Sequence, residues 1–477
     1  MVTSFLDSRI ASPFFSGAPE VKLVNAFARP FENAIATART CYSGKGIVTE
    51  DDVAKNPEQR DRIARSTYAA GHHTTLQHAH FQFALSNVSR QFLWSFLHSH
   101  PFYNSEQVSQ RYVEVKPGTT AIPALDDRAR GLFGAAVEAQ HAAYKRLIEL
   151  LVPAAAREYY RVFPARKKDS KWERDVKKKA QEIARYVLPV ATFAYLYHTV
   201  SAITLLRYWR LCAQPDAATE TRFVVGRMVE ELLRHEPQFE KILEDPIPLE
   251  ETLEARCWAA RPAGHGVSAQ LAAEFDAELG GQVSKLVDWK QRNEAMVADG
   301  VREVLGLPRS AMSDDTAMRL ALDPAQNGYL GEAMTVTTLS KLSRSLVHAG
   351  YTFKKRLSHT ADSQDQRHRM TPGSRPMLYV GAGEAPDYVS PKLIDHSAAA
   401  RVVYEDAMAR TWEAVGELRR LGVAEEWLAY LLPNAVTIRI IITRILPRHP
   451  RRSPLRAAPH MGCANRQEPA HAAAAAC

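Results

Sequence analysis

The chain has 477 residues, 46% hydrophobic and 24% charged, the proportions of a folded globular protein rather than a disordered one. That length leaves room for roughly two to four domains. The net charge of +8 suggests a polyanion partner, but the stretch from Ile441 onward holds six arginines against one acid, so +5 of it lies there and no specific nucleic acid is expected.

In chain order, Val21 to Val24 reads as a short strand and Phe31 to Arg39 as a helix. A Gly-His-His turn at Gly71 leads into Phe81, Phe83 and Leu85, which alternate with Gln82, Ala84 and Ser86, the period of a half-buried strand. An apolar run follows to Pro101, then the polar group Ser109-Gln110-Arg111-Tyr112. A hydroxyl, an amide and a guanidinium beside a buried strand can grip a planar polar ligand or a phosphate; the alternative is a loop whose arginine makes an ordinary surface ion pair.

Val137, His141, Tyr144, Ile148 and Leu151 fall at helical spacing and predict an amphipathic helix stopped by Pro153. The basic run from Arg166 to Lys179 is interleaved with Asp169, Glu173 and Asp175, a solvated helix face that ends near Arg185. Tyr186 to Leu206 is nearly uncharged, yet Pro189, His198 and several hydroxyls mark it as buried core rather than a membrane span. Phe223, Val224, Met228, Leu232 and Leu233 predict a further helix closed by Pro237, and Pro246, Pro248, Pro262, Gly264 and Gly266 a linker. With no apolar leader at the start, a cytoplasmic protein is expected. The five cysteines are scattered without zinc-ligand spacing, so they are read as reduced thiols and no metal is expected.

Beyond the linker the pattern returns. Ser340-Lys341-Leu342-Ser343-Arg344 echoes Ser86-Asn87-Val88-Ser89-Arg90, and Gln366-Arg367 echoes Gln110-Arg111. A helix carrying Val403, Ala407, Thr411, Ala414 and Leu418 follows, then Leu432-Pro433, matching Leu188-Pro189. Echoes kept in order predict two tandem copies: 1–244, a linker 245–268, a diverged copy 269–440, and an Arg/Pro/Ala-rich tail 441–477 without a packed core. The expected class is α+β, each copy a mixed or antiparallel sheet packed with helices.

Asn104 to Tyr112, ending Ser109-Gln110-Arg111-Tyr112, resembles the signature of the flavin-dependent thymidylate synthases, in which Arg-His-Arg is followed by Ser-Gln/Gly-Arg-Tyr. The Arg-His-Arg slot here holds His98-Ser99-His100. Ala38-Arg39-Thr40-Cys41-Tyr42 resembles the family's Ala-Arg-x-Cys-Tyr, and Gly71-His72-His73-Thr74-Thr75-Leu76-Gln77-His78 its Gly-His-x-Thr-Pro-x-Glu-His. Leu188-Pro189 and Thr199-Val200 resemble later family segments. On the repeat, Lys354-Lys355-Arg356 is aligned with the Arg-His-Arg slot, and the literal Arg367-His368-Arg369 is read as coincidence.

The resemblance implies a thymidylate-synthase-complementing fold and methylation of dUMP to dTMP with methylenetetrahydrofolate, NADPH and FAD. It implies dUMP on Gln107, Ser109 and Arg111, and FAD on His72, Thr74, His98, His100, Lys355 and Arg356. It also implies sites shared between subunits, here a dimer of tandem chains. The family's Asn-Ala-Arg is replaced by Ser201-Ala202-Ile203, a later Asn by Arg207, and the arginine that polarises uracil by Cys212. A neutral thiol supplies no positive charge, so a relative that binds nucleotide or flavin without turnover is the alternative.

Overall fold

The structure is a computed structural model and describes residues 12–98, 102–213, 215–261, 266–328, 340–366, 371 and 373–445. The main elements begin with β1 (Glu20–Ala26), α1 (Pro30–Thr40), β2 (His80–Ser89), α2 (Arg90–His98), β3 (Asn104–Gln107) and α3 (Asp127–Val162). They continue with α4 (Glu173–Ala184), β4 (Phe193–Ser201), α5 (Ala202–Arg210), α6 (Ala218–His235), α7 (Gly266–Leu279) and β5 (Ser284–Trp289). After these come α8 (Asn293–Leu305), α9 (Asp314–Leu322), β6 (Gly350–Ser358), α10 (His359–Asp365) and β7 (Gly373–Ser374). The last are α11 (Ala398–Arg420), α12 (Glu425–Leu431) and β8 (Thr437–Ile445).

Compactness divides the chain into two units. One comprises Met1–His265, Met377–Asp387 and Leu393–Ala435; the other comprises Gly266–Pro376, Tyr388–Lys392 and Val436–Cys477. The helices α11 and α12, late in sequence, therefore belong to the unit built mostly from the first half.

In the first unit β1, β2, β4 and β3 form an antiparallel sheet in that order. The alternation read along β2 holds. Phe81, Phe83 and Leu85 are buried with Leu196 and Val200 against Phe31, Trp209 and Met228 from α1, α5 and α6. Each such side chain contributes roughly 1.5–3 kcal/mol on burial. The opposite face carries Lys22, Tyr195 and Tyr197 toward solvent. The pairing of β2 with β4 shifts register between Leu85 and Val88, where Asn87 takes a positive φ of 55°. Asparagine tolerates that conformation, and the bulge re-aims the chain into Ser89 and the start of α2.

Helix α3 does not stop at Pro153 but runs through it to Val162. The proline is exposed, so the Glu149 carbonyl that loses its helical donor lies on the solvent side. Burial of Leu147, Leu151, Ala154, Ala155 and Tyr159 offsets the roughly 3 kcal/mol such a proline costs. Across from it, Gln140 on α3 donates to Thr411 Oγ1 at 3.1 Å and to the Leu431 carbonyl at 3.0 Å. The Leu-Pro segments also meet. Pro189 and Pro433 form an antiparallel bridge, with Val190 N donating to Leu432 O and Asn434 N to Leu188 O. The stretch read as a linker includes a short helix, Leu253–Ala260.

In the second unit β5, β6, β8 and β7 form a four-stranded antiparallel sheet, β6 and β8 taking the central places that β2 and β4 take in the first. Its small core joins Val297 and Val301 of α8 to Ala317 and Ala321 of α9, with Leu346 and Ala349. Strand β8 continues to Ile445, into the stretch set apart by composition as a tail.

Strand order pairs the two sheets differently from the polar strings. By sheet position β6 corresponds to β2, so Ser358 stands where Ser89 stands. Ser340 to Arg344 lies ahead of β6, at the turn Ser343–His348, and corresponds to the turn His73–His78 ahead of β2. Short polar strings recur by chance, whereas strand register does not. Arg367-His368-Arg369 lies outside the described residues; in chain position it follows α10 as Ser99 and His100 follow α2.

Candidate functional site

The bulge at Asn87 delivers Arg90 to the first position of α2, where its amide donates to Thr192 O and that of Gln91 to Val190 O, both at 3.0 Å. The Arg90 side chain turns to the end of β3. Its Nη1 donates to Gln107 Oε1 at 3.0 Å and its Nη2 to the Val108 carbonyl at 2.6 Å. Burial, reinforced by the nearby Arg185 cation, brings this guanidinium down to about 10.

Arg185 follows α4 and is buried, its Nε donating to the Glu182 carbonyl at 3.1 Å. Burial lowers it also; the buried Glu182 carboxylate opposes that shift, and the Arg111 cation adds to it. Ser109 and Arg111 sit half-buried in a tight turn. The Ser109 hydroxyl accepts from Arg111 N at 3.3 Å, and its carbonyl accepts from Tyr112 N and Val113 N. The Arg111 guanidinium lies 5.3 Å from the Tyr112 ring centroid. Gln110 between them is buried, its carbonyl accepting from Gln181 Nε2 and its Oε1 from Asn434 Nδ2, both at 3.2 Å.

Three buried donors of this group find no acceptor among the described residues: Arg90 Nε, Arg185 Nη2 and Gln110 Nε2. An unmet buried donor costs roughly 1–3 kcal/mol, more when charged. Mutually repelling guanidiniums with unused N–H groups are the chemistry of an anion site. Gln107 reaches this group through Arg90, and Ser109 meets Arg111 within the turn. The Gln110 amide belongs to the polar string read from the sequence, whereas Arg90, Arg185 and Asn434, which join it here, were not assigned from the sequence. The available signal was weak: an arginine within Ser89-Arg90-Gln91, and one just before Tyr186-Val187-Leu188-Pro189.

The residues assigned to flavin belong to both units. His72 precedes the turn His73–His78 and Thr74 lies on it, both exposed. Beside them Arg207 of α5 donates Nη2 to His73 Nδ1 at 3.1 Å. An arginine only donates, so Nδ1 accepts and His73 Nε2 carries the proton it gives to Tyr68 O at 3.0 Å. His98 ends α2, with its side chain outside the described residues, as is all of His100. Lys355 and Arg356 lie within β6, where Lys355 pairs with Asp365 at 3.2 Å and Arg356 lies 3.6 Å from Asp276. Burial lowers Lys355, and Arg444 on the same carboxylate adds to that.

Ser201 caps α5 through Thr204, and Ile203 and Cys212 are buried in the core. Burial pushes the Cys212 thiol up to about 11, so it is neutral. A cavity of about 670 Å³ lies against α1, lined by Arg29, Asn33, Thr37, Thr40 and His78, and includes none of the assigned residues.

The sequence model described as thymidylate synthase complementing protein matches residues 22–238 and 310–445. A flavin-dependent thymidylate synthase of Clostridium tetani (strain Massachusetts / E88) is 28% identical over 227 residues, covering 46% of this chain and 85% of that protein. One of Geobacter sulfurreducens (strain ATCC 51573 / DSM 12127 / PCA) is 26% identical over 215 residues, covering 42% of this chain and 75% of that protein. With the matched segments covering well over half of it, the chain belongs to the thymidylate synthase complementing protein family, that of the flavin-dependent thymidylate synthases.

Proposed function

We propose that the chain binds dUMP, with the phosphate on Arg90, Arg111, Arg185 and Gln110 and with Gln107 and Ser109 lining the pocket, and methylates it to dTMP. The observation that carries this reading is the buried cation group with three unused donors. A phosphate dianion offers the charge and the acceptor oxygens that group lacks. The relatives are named flavin-dependent thymidylate synthases; methylenetetrahydrofolate as carbon donor, with FAD and NADPH for reduction, is what the family resemblance implies.

The exposed donors of the turn His73–His78 fit FAD. His72, Thr74 and the His73–Arg207 pair offer imidazole, hydroxyl and guanidinium groups to a diphosphate. When bound, FAD supplies the hydride of the reductive step. His98 and His100 are assigned to the same cofactor, as are Lys355 and Arg356, both already engaged with carboxylates. The equal strand orders and the reciprocal bonds beside Pro189 and Pro433 support two tandem copies, 1–244 and 269–440, joined through 245–268. A dimer of such chains would present as many sheets as a tetramer of single copies.

A second reading, binding without turnover, is favoured by Cys212. The position expected to carry a cation to the uracil carbonyl holds a buried neutral thiol, and losing such a group costs roughly 100- to 1000-fold in rate. Incubation with dUMP, methylenetetrahydrofolate, FAD and NADPH, followed by chromatography for dTMP, tests the reaction. Slow dTMP formation is expected. Tight dUMP or FAD binding with no dTMP would establish the second reading, and absence of binding of both would overturn the two readings together.

A further inference from the structure

We infer that Asn434, contributed by the second half of the sequence, is a positioning residue that locks Gln110 as a hydrogen-bond donor to the bound anion; this rests on the anion site proposed above. A glutamine amide has two faces, and in a cationic pocket only the NH2 face is useful. Left alone, Gln110 could present either its oxygen or its nitrogen to a bound anion, and the oxygen would repel a phosphate.

Asn434 settles the choice. Its Nδ2 is held at two points, 3.2 Å from Gln110 Oε1 and 3.0 Å from the Arg185 carbonyl. An NH2 group with two acceptors fixes the Asn434 flip, and a fixed donor fixes the Gln110 oxygen against it. Gln110 Nε2 then has to face away, and it is one of the buried donors with no acceptor among the described residues. Asn434 is 2% exposed and Gln110 6%, so water does not compete for these contacts.

The backbone enforces the same placement. Asn434 N donates to Leu188 O at 2.8 Å, and Gln110 O accepts from Gln181 Nε2 at 3.2 Å, so neither residue can drift without breaking a buried bond. The same Asn434 group braces the carbonyl of Arg185, tying the second half of the sequence to two phosphate-facing residues at once.

The test is a set of variants titrated with dUMP by calorimetry, with the shift in melting temperature on adding inorganic phosphate as a second readout. Asn434→Ala frees Gln110 to flip and should weaken dUMP roughly threefold to tenfold. Asn434→Asp places an acceptor against Gln110, reverses its amide and should weaken dUMP further. In a Gln110→Ala background the gap in affinity between Asn434→Asp and Asn434→Ala should shrink at least severalfold. If the gap is undiminished there, the charge of the introduced carboxylate alone acts and the inference falls.

Gln110→Glu keeps the acceptor for Asn434 but removes the donor, and it serves should Asn434→Asp fail to fold. It should lose at least tenfold in dUMP affinity, and wild-type affinity would overturn the inference. If the wild type responds to phosphate but not to dUMP, the nucleotide reading fails while the role of Asn434 is judged on the phosphate shifts. If it responds to neither, both fail.

Discussion

Pro189 and Pro433 face each other across an antiparallel bridge, and the hydrogen bonds around them come in reciprocal pairs. Val190 N reaches Leu432 O and Asn434 N reaches Leu188 O; Ala191 N reaches Tyr430 O and Ala435 N reaches Tyr186 O. Adding the spacing of the two prolines to the residues of one bond gives the partners of the other. Such exchange is what a two-fold axis between like segments produces. The symmetry stops at the side chains. Arg185 on one side has Ala429 as its counterpart, and Asn434 has Val190, so these polar groups are not repeated on the other side.

Arg185→Met should separate binding from stability. Removing a buried cation that lacks a full set of partners relieves a desolvation cost of several kcal/mol. The melting temperature of the ligand-free protein should therefore rise or hold, while dUMP affinity falls more than tenfold. Arg111→Ala, in a half-buried turn, should weaken dUMP more than tenfold with the melting temperature nearly unchanged. Calorimetry and thermal melts on the same preparations check both.

Much of the fold was legible in the residues. The alternation at Phe81, Phe83 and Leu85 is enforced by the core beneath one face of the sheet, and period two is a local signal. The course of α3 through Pro153 was not legible, because the burial that overrides the proline comes from contacts distant in sequence. Of the site, Ser109 and Arg111 stood out as a polar string. Arg90, Arg185 and Asn434 are joined only by tertiary contacts that no spacing rule encodes.

Stability should fall as pH rises from about 4.5 to about 7, through buried carboxylates near the start of α6. Glu220 accepts from Ser89 N at 2.7 Å and Tyr430 Oη at 2.6 Å, and burial raises it to about 7. Burial raises Asp216 and Glu426 to about 7 as well. In that window the folded state holds protons the unfolded chain has released, so their contribution is full below the unfolded value and lost through the folded one. His198 acts oppositely: burial brings it down to about 3, so its contribution is lost as pH falls below about 6.5. Urea melts at pH 5 and pH 8 should show wild type losing ground relative to Glu220→Gln on going to the higher pH. Parallel profiles would remove Glu220 from the account.

Cys212→Arg should not restore an active site. The Cys212 side chain lies in the hydrophobic core with Trp209 and Met228, so an arginine there is an unpaired buried charge. The expected result is a destabilisation of at least about 3 kcal/mol, read in denaturant melts, with no gain in dTMP formation.

Asp276→Ala should unsettle the second unit in a salt-dependent way. Arg356 and Arg439 are cross-strand neighbours on β6 and β8, and Asp276 holds Arg439 at 2.7 and 2.9 Å while lying 3.6 Å from Arg356. Without the carboxylate, two like charges stand opposite each other. A loss of about 1 kcal/mol at low salt, largely recovered at high salt, is expected in melts at two ionic strengths.

The most direct measurement is a calorimetric comparison of dUMP with deoxyuridine, which differs only by the phosphate. If Arg90, Arg111, Arg185 and Gln110 grip that group, dUMP should bind at least about 100-fold more tightly, as several charge-assisted bonds require. Equal affinity for the two, or no binding of dUMP, would contradict it.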